Sequence, residues 1–183
     1  MRNPLFIILF ILLLHSCSRI EISENEQLWL LNEAAFTSYG FDFPDAPQGK
    51  YSKFKLPDGA IEIVYNYKGF AEDSSVLYIS NTITIDKKES DAEETYLTKA
   101  ESINLSKVFN SELTLLEGFS FGEESILYLW LTDHEPIGNY FQFRQNTITY
   151  QLLLQGFYFS DLESWIHFFE NTIHPAISKM KED

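Results

Sequence analysis

His134, His167 and His174 are the side chains beyond the N-terminal segment best suited to acid–base or metal chemistry. His134 stands between Asp133 and Glu135, ahead of Pro136. A carboxylate beside an imidazole in a loop can orient the ring as a general base for hydrolysis. A plain polar turn is the simpler use of the same residues. His167 and His174 are seven apart on a segment with helical periodicity, which places them on one face two turns apart. Metal-ligand pairs on helices fall three or four apart. Glu163 and Glu170 each precede a histidine by four residues, a spacing that pairs charges on a solvated helix face. Glu89, Asp91, Glu93 and Glu94 could attract calcium but lack the loop spacing that wraps the ion. An acidic helix start favoured by the macrodipole accounts for them. No nucleophile elbow, zinc-protease motif or phosphate loop occurs. The single cysteine, Cys17, leaves no intramolecular disulfide and no Cys-based zinc site. These residues assign no catalytic group, no metal and no cofactor.

The aromatic residues are the surplus to explain: sixteen Phe, ten Tyr and three Trp. Phe36, Tyr39, Phe41 and Phe43 crowd one segment, flanked by Gly40 and Pro44. Phe119, Phe121, Phe157, Tyr158 and Phe159 crowd two others. Such rings either fill a core between sheet and helices or line a groove for a ligand or partner. The 36–43 cluster is the groove candidate, because Pro and Gly around it imply a loop. Burial of all four rings would remove it.

The N-terminus reads as an address. Met1-Arg2-Asn3 is short and positive, and Pro4 to Leu14 (PLFIILFILLL) is apolar. A run of about 11 residues is too short to span a bilayer, which takes about 20, and suits the core of a signal peptide. Leu14-His15-Ser16-Cys17 follows. It resembles the lipobox of bacterial lipoproteins: an aliphatic residue, a loosely specified one, a small one, then the invariant Cys. Leu14, Ser16 and Cys17 match; His15 departs from the usual small or aliphatic residue. The resemblance implies a diacylglycerol on the Cys17 sulfur, cleavage before Cys17, and a membrane as the first partner. Two or three acyl chains hold far more firmly than one, at about 0.8 kcal/mol per buried methylene. Ser18, where an Asp would resemble an inner-membrane retention signal, points to the outer membrane if there are two.

Composition narrows what hangs from that anchor. At 45% hydrophobic and 16% aromatic, the chain is of folding composition and long enough for one ordinary domain. Its net charge of −14 repels phosphate backbones, which argues against nucleic-acid binding.

The elements that must position any site follow from periodicity. Ser23-Glu24-Asn25-Glu26 is a capping box, predicting a helix with Leu28, Leu31 and Ala35 on one face, ended by Gly40. Pro57-Asp58-Gly59 is a turn between YSKFKL and the alternating strand AIEIVYNY. Val76 to Ile85 alternates with period two. Ser90 or Asp91 caps a helix to about residue 109, with Tyr96, Leu97, Ala100 and Ile103 inward. Strands are expected near 113–121, 125–132, 139–145 and 147–155, with ILYLWL central because it is apolar on both faces. Ser160-Asp161-Leu162-Glu163 opens a last helix carrying Leu162, Trp165, Ile166, Phe169 and Ile173, ended by Pro175.

Strand runs separated by helices predict an α+β fold, a mainly antiparallel sheet with helices packed against it. The last 110 residues or so, in YFQFRQNTITYQLLLQG and DLESWIHFFENTI, resemble the C-terminal half of the PsbP-like α/β sandwich. That resemblance implies an accessory or binding role and transfers no functional residue. The expected organisation is a signal peptide over 1–16, a lipid-anchored tether over 17–22, one domain over 23–178 and a polar tail over 179–183. The expected function is a non-catalytic envelope module that binds an envelope protein or small ligand. A hydrolase built on Asp133, His134 and Glu135, or a structural part of an envelope machine, are the alternatives.

Overall fold

Two antiparallel meanders lie edge to edge in the computed structural model, which describes residues 18–43, 49–71, 75–105 and 111–180. The first comprises β1 (Ser18–Ile20), β2 (Lys50–Lys55), β3 (Ile61–Phe70) and β4 (Val76–Ile85). The second comprises β5 (Ser111–Leu115), β6 (Glu124–Thr132), β7 (Glu135–Gln145) and β8 (Ile148–Gln155). The last strand pairs with β4, giving one eight-stranded sheet in the order β1-β2-β3-β4-β8-β7-β6-β5. Helix α3 (Glu89–Leu105) connects β4 to the opposite edge at β5. The fold is therefore α+β with an antiparallel sheet and packed helices, as the element order predicts.

Alternation sorts the side chains into two faces. On one, Ile63, Tyr65, Tyr67, Ile79, Ile83, Phe141, Phe143, Tyr150, Leu152 and Leu154 are buried. The C-terminal helix covers this face with Trp165, Phe168, Phe169 and Ile173. Burying a large apolar side chain contributes about 1.5–3 kcal/mol, so this layer supplies most of the driving force. The other face is polar at its centre: Thr84, Gln142 and Thr149 are buried under α3. Two buried asparagines clamp loops onto the aromatic side. Asn81 accepts from Leu31 N–H (2.7 Å) and donates to Gln151 C=O (2.9 Å). Asn139 donates to Phe159 C=O (3.0 Å) and accepts from its N–H (2.7 Å).

Several elements depart from the sequence pattern, each for a physical reason. The capping box forms at Ser23 and Glu26 but supports only α1 (Glu24–Gln27). Trp29, Leu30 and Leu31 are all buried in succession while Leu28 is exposed, which no single helical face allows. The chain unwinds to seat them and resumes as α2 (Ala34–Thr37). Ser18–Ile20, within the expected tether, pairs with β2 instead. The strand expected over 113–121 ends at Leu115, and positive φ at Gly118 and Gly122 turns the chain beyond it. Only Leu127 of β6 is fully buried, and the strand sits next to the edge rather than at the centre. Helix α3 presents Ala92 and Tyr96 to the sheet, whereas Leu97 is 50% exposed, so its buried stripe is narrower than expected. The last helix continues through Pro175: α4 (Leu162–Phe168), a π-turn (Phe169–Ile173), then α5 (His174–Lys179). Proline there occupies the first turn of α5, where its missing N–H is tolerated.

Candidate functional site

The proposed aromatic groove is largely filled by its own neighbours. Phe36 is fully buried against Phe43, Phe157 and Phe168. Tyr39 stands edge-on to Phe159 and Phe168, and its hydroxyl lies 2.9 Å from Thr172 Oγ1. Phe41 packs on Phe157 and Phe159, and Phe43 on Tyr67 and Phe157. The last three rings are half-buried, joining the 36–43 segment to the β8–α4 loop and helix. These rings pack together as part of the core wall. Phe119 and Phe121 likewise pack on Phe141, Phe143 and Phe169.

Asp133 and His134 form the two-residue turn of the β6–β7 hairpin, both with positive φ (51° and 67°). The His134 side chain is 86% exposed, with Glu112 3.4 Å from its Nδ1. A tip of this kind encloses no substrate. His167 and His174 do not share a face. The π-turn between them shifts the helical phase, so His167 lies against Tyr39 and His174 against Phe121 and Phe169. Among the described residues, no three His, Cys, Asp or Glu side chains gather as a metal site. Cys17 lies outside the described residues, one position before β1. No described helix is long and apolar enough to cross a membrane.

A polar cavity of about 380 Å³ opens where α2 meets the first meander, lined by Asn32, Glu33, Ala34, Gly49, Tyr51 and Tyr65. Register builds it. Tyr51 and Tyr65 are cross-strand partners on β2 and β3, with ring centroids 4.7 Å apart. The N-terminal segment then lays Asn32 and Glu33 over them. The Tyr65 hydroxyl donates to the Glu33 carboxylate, which also accepts from Gly49 N–H at 3.1 Å. Asn32 Nδ2 donates to the Tyr51 hydroxyl at 3.2 Å. Burial, then the Glu33 hydrogen bond and charge, push the Tyr65 hydroxyl well above the ordinary phenol range. It is thus a fixed donor. The site offers a carboxylate, an amide and phenol groups. This arrangement suits recognition of a small polar ligand by hydrogen bonds and ring contact.

None of these residues stands out in the sequence. They come from positions 32–34, 49, 51 and 65, and the pairing of β2 with β3, with the N-terminal segment laid over it, brings them together. A second opening, about 590 Å³ beside Ser23, Trp29 and Lys53, contains the Lys53–Glu26 ion pair. Burial acts to raise the Glu26 carboxyl, but Lys53 and the Ser23 cap outweigh it and hold the group below its ordinary value. Comparison with protein-family models, with curated proteins and with solved structures returned no match.

Proposed function

We propose that the chain is an exported lipoprotein, held on an envelope membrane by lipid on Cys17, whose domain binds an envelope protein or small ligand without catalysis. The observation that carries this reading is Leu14-His15-Ser16-Cys17 directly after an 11-residue apolar run from Pro4 to Leu14. A folded strand beginning at the next residue, Ser18, fits a domain carried close against its anchor. The resemblance to the PsbP-like sandwich, whose members are mostly accessory or binding proteins, points the same way. The Asn32–Tyr65 cavity is the candidate ligand site.

Metabolic labelling with a palmitate analogue tests the anchor. Wild-type chain should carry label and sediment with membranes, and Cys17→Ala should lose both. An unlabelled wild type overturns the reading. Crosslinking in intact cells then tests the binding role, with Tyr51→Ala as the cavity variant. A specific adduct or co-purified small molecule lost in that variant assigns the cavity. A stable stoichiometric complex on size exclusion in detergent would instead make the chain a structural part of an envelope machine.

A further inference from the structure

We infer that the end of the sheet next to Cys17 is a docking face for anionic phospholipid headgroups, with Arg19, Lys55, Lys87 and Lys88 as its contact groups. The inference rests on the lipid-anchor reading above and adds to it an orientation and a lipid preference. Strand β1 opens at Ser18, which stands opposite Lys55 of β2. Adjacent Cα atoms are about 3.8 Å apart, so the residue proposed to carry the acyl chains is bonded directly to this end. From Lys55 the chain enters the Pro57-Asp58-Gly59 turn. Lys87, just past β4, reaches that turn and donates to Asp58 C=O at 2.7 Å. Lys88 follows it, at the start of α3.

All four basic side chains belong to exposed residues. Among the described residues, none of the four has a carboxylate within 4.0 Å, whereas Lys53, Lys99 and Arg144 are each closed on glutamates. Asp58, Glu89 and Asp91 are exposed acids at this end, and Asp86 there is buried. Glu123 and Glu124 lie six strand spacings across the sheet from β1, roughly 29 Å, and are bound to Arg144. In a chain of net charge −14, four of the seven described Lys and Arg side chains without a carboxylate partner thus stand where lipid would attach, the others being Lys50, Lys68 and Lys179.

Each basic group at an anionic bilayer changes partitioning by roughly fivefold. Screening limits the effect to about 8 Å, so only groups held against the surface contribute, and a one-residue link holds them there. The acidic remainder is repelled by the same field. The sheet then stands with its strands rising from the membrane. Phe70 and the Asp133–His134 turn, at the opposite end, point away from it.

The test uses the lipidated protein reconstituted into phosphatidylcholine vesicles and into mixed phosphatidylcholine–phosphatidylglycerol vesicles, with a brief amine-reactive label read by mass spectrometry. Labelling of Lys55, Lys87 and Lys88 should fall at least fivefold on the anionic vesicles and recover in high salt. Lys68, at the far end of β3, should label equally on both. The double variant Lys87→Glu, Lys88→Glu should lose the protection of Lys55. Equal labelling on the two vesicles, with lipid present on Cys17, overturns this inference and leaves the anchor standing. Absence of lipid on Cys17 overturns both.

Discussion

The two faces of the sheet are held by different physics. The face under the C-terminal helix is a continuous aromatic layer: Trp165 touches Phe119, Phe141, Phe159 and Phe168, and Phe169 reaches Phe119, Phe121 and Phe141. The face under α3 is held by directed bonds. Gln142 Nε2 donates to Tyr96 C=O at 2.7 Å, and Thr149 Oγ1 donates to Ala92 C=O at 3.3 Å. Tyr140, on this same face, donates to Gln142 and accepts from Gln151 Nε2. Apolar contact is non-directional and grows with area. A hydrogen bond adds only about 0.5–1.5 kcal/mol net, yet a buried partner left alone costs more. One face should therefore set global stability, and the other should set where α3 sits.

Removing the largest ring should break the first half of that contrast. Trp165→Ala opens a cavity in the aromatic layer and should cost about 3–5 kcal/mol, read as a lowered urea midpoint of the whole fold. If the loss were below about 1 kcal/mol, the aromatic face would not be the main support. Asn81→Leu comes next, at about 2–3 kcal/mol. It leaves the Leu31 N–H and the Gln151 carbonyl without their side-chain partner, and amide exchange at Leu31 should rise first. Gln142→Leu should cost about 1–2 kcal/mol, with faster amide exchange confined to α3. Unaltered near-ultraviolet circular dichroism from the aromatic layer would sharpen the comparison, and its collapse would show that the two faces are one unit.

The smallest effect sits at the edge of the polar face. Burial raises the Asp86 carboxyl above its ordinary value; the Thr95 hydroxyl opposes this, and Asp58 and Asp91 add to the rise. A raised acid favours its neutral form in the folded chain. Its stability contribution is thus full below the ordinary Asp value and lost as pH rises through the raised one. Asp86→Asn, always neutral, should exceed the wild type near neutral pH by about 0.5–1 kcal/mol and lose that advantage by about pH 3. Thermal melts at the two pH values check the sign.

Much of this contrast was legible before folding. The β4 pattern places Leu77, Ile79, Ile83 and Ile85 on one side and Ser80, Thr82 and Thr84 on the other, as found. The capping box at Ser23 marks a real helix start, whereas the box read over Ser160–Glu163 is displaced by one residue: Asp161 is the N-cap and accepts from Ser164 N–H. The aromatic excess, though, was ambiguous: Phe36 or Phe43 reads the same whether its neighbour is Phe157 or solvent. The Asn32–Tyr65 cavity was invisible, because its residues carry no spacing signal. Trp29, Leu30 and Leu31 misled in the other direction, since a capping box predicts a helix and only burial of three consecutive side chains reveals its interruption.

What the sequence determined by itself was local. Alternation, caps and turns act over a few residues, so strand type, helix starts, the acidic character and the lipobox resemblance at Cys17 could all be read directly. Tertiary structure alone decided that β8 fills the slot between β4 and β7, that Asn81 and Asn139 close on distant loops, and that Lys55 and Lys87 meet at one end. These depend on which strands pair. Pairing is chosen by the burial and hydrogen bonding of the whole chain at once, a sum that no short window contains.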